Sequence, residues 1–143
     1  MAIKQLSIFV ENREGTLVKV TDAIAKAQVD IRAMSVADTN DFGIFRLIVT
    51  DYDKAKAALE DADCFVSITE VVGLAVEDEP GALAKVVQVL ADNNINIEYM
   101  YAFITVSKQY AYVVLRVADN DAAEEILIEN GVKLVSEDDI ASL

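Results

Sequence analysis

Val10-Glu11-Asn12-Arg13-Glu14-Gly15-Thr16-Leu17 returns 66 positions later as Val76-Glu77-Asp78-Glu79-Pro80-Gly81-Ala82-Leu83. At the same offset Val29-Asp30-Ile31 becomes Ile95-Asn96-Ile97, and Met34 becomes Met100. Val49-Thr50-Asp51 then matches Val117-Ala118-Asp119 at an offset of 68. Two residues have entered between these points, and a hairpin is where a fold tolerates them. A repeat of this length means that one supersecondary unit is used twice. The 143 residues therefore divide into copies at 1–72 and 73–143.

Each copy has the same order of patterns. Leu6, Ile8 and Val10 alternate along a first strand, as do Leu74 and Val76. Gly15 or Gly81 then opens a helix. Its inner face is read as Leu17, Val20 and Ile24 in the first copy, and as Leu83, Val86, Val87 and Leu90 in the second. A strand at about Ile31 to Ala37, a polar turn through Asp38 to Asp41 and a strand at Ile44 to Val49 follow. The matching pair is Glu98 to Val106 and Tyr110 to Val117. Asp51 and Asp119 are N-caps for second helices. Their buried stripes are Ala55, Ala58, Leu59 and Ala62, and then Ala122, Ala123, Ile126 and Leu127. Asn130-Gly131 suits a left-handed stop to the last helix. Val66 to Val71 and Lys133 to Val135 close the copies as fourth strands.

The order is βαββαβ twice. It predicts an α+β fold of two ferredoxin-like units, each a four-stranded antiparallel sheet with helices on one face. Val66 to Val76 runs from one copy into the next with only Gly73 as a bend, so no linker is expected and the two units are expected to hold a fixed geometry. Units of about 70 residues are marginal alone and gain from burying surface against each other.

Composition narrows the function. Hydrophobic residues make up 54% of the chain, ample for a core. The longest apolar stretch, Val71 to Val76, is far short of the ~20 residues of a membrane span, and no secretory signal is visible. Cys64 is the only cysteine, so the chain fits a reducing, cytoplasmic setting, with the thiol a small buried hydrophobe beside Phe65 and Val66. The net charge is −13, with 8 basic and 12 acidic residues before position 73 and 4 and 13 after it. Both halves repel phosphate backbones, which argues against nucleic acid. There is no histidine, so Ser-His and Cys-His nucleophile pairs and the commonest zinc ligand are absent. Neither a Walker loop nor a dinucleotide-binding glycine string is present, and no cofactor is expected. The clusters Asp51-Asp53, Glu124-Glu125 and Glu137-Asp138-Asp139 sit at helix starts or in the tail, where the helix dipole favours acids.

The strand-to-helix turn is the candidate site. A glycine there lets a ligand approach backbone, and the helix start offers N–H groups without intrahelical partners, a setting that suits a carboxylate. Asn12 or Asp78 is placed to cap the turn or to bind an ammonium group. The plainer reading is that Gly15 and Gly81 only permit a tight turn.

Asp78-Glu79-Pro80-Gly81-Ala82-Leu83, followed by Asn94-Ile95-Asn96-Ile97, resembles the signature of ACT domains, ferredoxin-like regulatory modules that bind amino acids. The resemblance covers essentially the whole chain as two tandem copies, with no catalytic domain. Glu14 replaces the family's frequent proline in the first copy and leaves that turn less stiff. In ACT proteins the ligand usually sits between this turn and the start of the second strand of a neighbouring module. The resemblance therefore implicates Asn12, Arg13, Glu14, Gly15, Thr16 and Leu17 in one turn. It equally implicates Asp78, Glu79, Pro80, Gly81, Ala82 and Leu83 in the other. Asp30 and Ile31, with Asn96 and Ile97, become the facing walls, although Ile31 and Ile97 read equally as core. It implies a sensor of an amino acid or similar small ligand, not an enzyme, that assembles as a homo-oligomer such as a dimer and informs a regulated enzyme.

Two other features need a reading. Lys108-Gln109-Tyr110-Ala111-Tyr112-Val113-Val114-Leu115 looks like the RNP1 motif of RNA-recognition domains. Gln109 and Leu115 depart from it, and this half carries the greater negative charge. Tyr99, Tyr101 and Phe103 alternate on one strand face, with Ala33, Ser35 and Ala37 as counterparts, while Met100, Ala102 and Ile104 are expected to meet the helices. An open aromatic row marks an interface, either within or between chains. An assembly or adaptor module with a vestigial ligand site is thus the alternative function.

Overall fold

The computed structural model describes residues 2–38 and 41–143. The chain forms two compact units, Lys4–Thr69 and Glu70–Leu143, the latter joined by the residues up to Ile3. The first unit contains Ile3–Glu11 (β1) from Lys4 onward, Thr16–Lys26 (α1), Ile31–Asp38 (β2), Phe42–Val49 (β3), Tyr52–Asp61 (α2) and the opening part of Phe65–Glu77 (β4). The second continues from β4 through Ala82–Asp92 (α3), Tyr99–Ala102 (β5), Tyr110–Arg116 (β6), Asn120–Glu129 (α4), Lys133–Val135 (β7) and Glu137–Ile140 (α5). The strand orders are β2-β3-β1-β4 and β5-β6-β4-β7, the same ferredoxin-like arrangement in each unit.

Register explains why alternation decided the inward faces. In the first unit Leu6 pairs with Leu47 and Ile8 with Phe45, antiparallel, so their side chains share the face under α1 and α2. Val72–Leu115 and Leu74–Val113 do the same in the second. Each core is closed by two helix residues four apart, Val20 with Ile24 and Val86 with Leu90, and by Ala55 with Leu59 or Ala123 with Leu127. Asp51 Oδ1 accepts from the Lys54 N–H at 3.0 Å and Asp119 Oδ1 from the Ala122 N–H at 3.1 Å, so both expected caps are formed.

Several expectations are corrected. Leu17, Leu83 and Val87 do not join the cores but stay exposed. Leu17 and Leu83 lie in the first turn, where side chains lean toward the N-terminus and overhang the sheet. Val87 is rotated about 100° from its buried neighbour Val86. The second strand of the second copy stops at Ala102 instead of Val106. Phe103 still donates to the Tyr112 carbonyl at 2.9 Å, and then the chain leaves the ladder. The Ser107 hydroxyl accepts from the N–H groups of Gln109 and Tyr110, a local turn that competes with strand pairing. Met100 therefore packs on the core while Ala102 and Ile104 are exposed.

Gly73 is no bend. It lies inside β4, and a Cβ there would stand 3.1 Å from Ile3 Cδ1 and 3.2 Å from Val135 Cβ, so the glycine admits close packing. The turn expected at Asp38 to Asp41 lies partly outside the described residues. The tail forms α5, capped by a Ser136–Asp139 box. On the face of the second sheet away from its helices, Tyr99 stacks on Tyr101 with ring centroids 6.5 Å apart. Phe103 meets Tyr112 edge-on. Phe103 is buried and the tyrosines are half-buried.

Candidate functional site

The two strand–helix turns have one geometry. Gly15 has φ 84° and Gly81 has φ 87°, both left-handed, and a Cβ on either would meet nothing within 4 Å. The glycines are therefore required by backbone conformation, with open space in front of them. Neither helix start is capped by a side chain, so first-turn N–H groups lack a side-chain acceptor, although the Ala82 N–H donates to the Glu79 carbonyl at 3.3 Å.

Each turn is tied to the β-hairpin of its own unit by an equivalent bond. The Asn12 N–H donates to the Asp41 carbonyl at 3.2 Å, and the Asp78 N–H to the Gln109 carbonyl at 3.0 Å. The Arg13 N–H donates to the Glu11 carbonyl and the Glu79 N–H to the Glu77 carbonyl, each at 2.9 Å. The turns then differ. Pro80 fixes φ in the second. In the first, Thr16 Oγ1 lies 2.8 Å from the Glu11 carbonyl and 2.9 Å from that of Arg13, a hydroxyl tie where the second copy has Ala82. Arg13 Nε lies 2.8 Å from Glu11 Oε2 in an exposed pair. Glu14, Pro80 and Asp78 are exposed.

Asp30, Ile31, Asn96 and Ile97 are placed elsewhere. Ile31 pairs with Val49, whereas Glu11 pairs with Phe42 at the other end of β3. Seven strand positions at ~3.3 Å each put Ile31 roughly 20 Å from the turn of its own unit. Ile31 and Ile97 pack on the cores of their own units, while Asp30 and Asn96 are exposed.

Beside each turn lies a cleft that short motifs did not reveal. The first, of about 300 Å³, is lined by β1, α1, the start of β3 and the α2–β4 connection, with Arg13 and Thr16 from the turn. The second, of about 340 Å³, has the same position in its unit, with Glu79 and Ala82 from the turn. Shifting the residues of the first cleft by the offsets of the repeat places each of them in the lining of the second. The signal that could have found them is the repeat itself, followed past the turn to Lys19 and Lys85, Phe42 and Tyr110, and Phe65 and Lys133. Among the described residues no group of three His, Cys, Asp or Glu side chains is placed to hold a metal ion. No helix among the described residues is long and apolar enough to cross a membrane.

The family model of the ACT domain pair matches residues 1–143. A crystal structure of a protein from Bacteroides thetaiotaomicron is similar at 43% identity and a TM-score of 0.93, covering 100% of this chain and 98% of that one. The ligand-free regulatory subunit of aspartate kinase from Thermus thermophilus is similar in fold, with 18% identity, a TM-score of 0.61, and coverage of 88% of this chain and 91% of that one. Aspartate kinase from Synechocystis, at 24% identity and a TM-score of 0.60, matches 93% of this chain with 26% of its own. No curated protein matches. With one geometry at both turns and the family model spanning both copies, the chain belongs to the ACT domain pair family.

Proposed function

We propose that this chain is a regulatory module that binds an amino acid or a similar small zwitterion at the strand–helix turn and passes that occupancy to a partner enzyme. Each copy, residues 1–72 and 73–143, is one module on this reading. The observation that carries it is the doubled turn: a left-handed glycine facing open space, before a helix whose first N–H groups lack a side-chain cap. Such groups attract a carboxylate through partial positive charge and directed donors. Asp78, exposed beside the stiffer turn, supplies the charge for an ammonium group. Asp30, Ile31, Asn96 and Ile97 enter only as a wall brought by a second copy of the chain. Nothing in this scheme needs a nucleophile, and its action is binding.

The test is a thermal-shift screen of the twenty amino acids, followed by calorimetry with the best one. Gly81→Val should cut affinity sharply, because valine resists positive φ and adds bulk where the ligand approaches. Asp78→Ala should weaken the amino acid more than its deaminated analogue. If no amino acid binds the parent more tightly than about a millimolar, a ~4 kcal/mol interaction, the adaptor reading replaces this one.

A further inference from the structure

Register sorts the apolar residues of the first sheet by face. Ile8, Val10, Phe45 and Val66 turn toward the core beneath the helices. Phe9 stands between the first two on β1, Phe42 lies three positions from Phe45 on β3, and Phe65 precedes Val66 on β4. Alternation therefore puts all three rings on the face away from the helices. Phe9 lies opposite Ile44 and diagonal to Phe42, and β4 adjoins β1 on its other side. Phe9, Phe42 and Phe65 are 60%, 58% and 82% exposed, while the other two phenylalanines, Phe45 and Phe103, are buried. Single exposed apolar residues are ordinary, but a contiguous set marks an interaction surface.

The charge beside these rings is already matched. Glu11 sits directly opposite Phe42, and its Oε2 lies 2.8 Å from Arg13 Nε. Water can thus leave the patch without stranding that acid. The repeat does not carry the patch forward. The three positions become Ala75, Tyr110 and Lys133. Ala75 is buried, and the exposed Lys133 stands 5.7 Å from the Tyr110 ring centroid, an ammonium where the first unit has Phe65. A lysine at that place resists apolar association. The patch therefore occurs once per chain. It also lies on the less acidic half, with 8 basic and 12 acidic residues against 4 and 13.

We propose that this patch is an interface between two copies of the chain, with the rings of one meeting those of the other about a two-fold axis. Area favours this occupant. The three rings leave the equivalent of two whole side chains open, roughly 400 Å² at about 200 Å² each. Two copies would bury roughly 800 Å² of ring, and homodimer interfaces are about 65% apolar, so the whole contact comes to roughly 1,200 Å². That is the lower end of the range for specific interfaces. One patch that meets itself closes at two copies and cannot propagate. Contact through the less acidic half also limits like-charge repulsion between the copies. This pairing stands independently of ligand binding at the turns.

Analytical ultracentrifugation of the full chain from about 1 to about 300 μM tests it, since an interface of this size should give a micromolar Kd. The parent should pass from monomer to dimer and stop there. Phe9→Ser and Phe65→Lys, the latter copying the residue of the second unit, should each weaken the dimer at least about tenfold. The double variant should stay monomeric with an unchanged circular dichroism spectrum, because neither ring belongs to the core. Ile128→Gln, at an exposed apolar position on α4, should leave the dimer intact. Raising sodium chloride from about 10 to about 300 mM should tighten the dimer, because two acidic chains meet through apolar surface. A parent that stays monomeric overturns the proposal, as does a dimer that survives in the folded double variant. So does growth beyond two copies, an equal loss in Ile128→Gln, or a dimer that salt weakens.

Discussion

Gly15 and Gly81 separate backbone cost from steric cost unusually cleanly, because an added Cβ meets no atom within 4 Å at either position. Gly15→Ala should therefore lower stability by about 1–2 kcal/mol, the cost of holding an L-residue left-handed. Urea unfolding measures it, and an unchanged midpoint would mean that the turn relaxes to negative φ. Asp139 gives a second residue-scale test. Its carboxylate accepts from the Ser136 N–H and from the Ser136 hydroxyl, each at 2.9 Å, and these bonds hold its pKa below the ordinary 3.8. A depressed folded value means stabilisation that is present in full above the unfolded pKa and lost as pH falls through the folded one. The α5 cap should loosen only below about pH 4. In Ser136→Ala the Asp139 titration, followed by NMR, should move up toward its ordinary value. The glycines and the Asp51 and Asp119 caps were legible in the sequence because each acts on its immediate neighbours. The clefts beside the turns were not, since their lining comes from β1, α1, β3 and the α2–β4 connection, which only the folded unit brings together.

At the scale of elements, a 3.6-residue period shows which side of a helix is apolar but not where the sheet beneath it ends. Leu83 and Leu90 lie on one sequence stripe, yet Leu90 is fully buried and Leu83 is 39% exposed. Leu90→Ala should cost about 2–5 kcal/mol, while Leu83→Ala should fall within roughly 0.5–1 kcal/mol, as surface changes do. Similar losses for both would show Leu83 covered in solution. Strand β5 is shorter than its sequence pattern for a related reason. Its alternation continues through Val106, but the Ser107 hydroxyl draws the Gln109 and Tyr110 N–H groups into a turn. In β4 the sequence offered Gly73 as a bend, because glycine looks alike whether it frees a chain or admits a neighbour. Gly73→Ala should cost about 1–3 kcal/mol of overpacking. The Ile3 tip can rotate away from the new methyl, but Val135 Cβ moves only with its strand.

The whole molecule carries a net charge of −13, and that number makes its own prediction. Like charges spread over a compact chain repel one another, and an unfolded chain relieves the repulsion by expanding. At about 0.01 M ionic strength the screening length is ~30 Å, comparable with a small protein, so nearly every acidic pair contributes; at about 0.15 M it is ~8 Å and only near neighbours do. Ion pairs that oppose this repulsion, among them Arg13–Glu11, Lys56–Glu60 and Arg116–Glu98, lie at partly or largely exposed side chains and are themselves weakened by salt, but each contributes at most about 1 kcal/mol. Net repulsion should win. The urea midpoint should therefore rise between 10 and 300 mM sodium chloride (conditions chosen to span roughly those screening lengths), with an unchanged slope. The same field should keep single-stranded RNA from binding at physiological salt despite the Tyr110-Ala111-Tyr112 motif, because RNA affinity draws on phosphate neutralisation. A midpoint that stays flat or falls with salt would show that specific ion pairs outweigh the mean field. Exclusion of polyanionic partners would then depend on local surface potential, beginning with Lys133, 5.7 Å from the Tyr110 ring centroid, and Lys108, two residues before that tyrosine, instead of on the total.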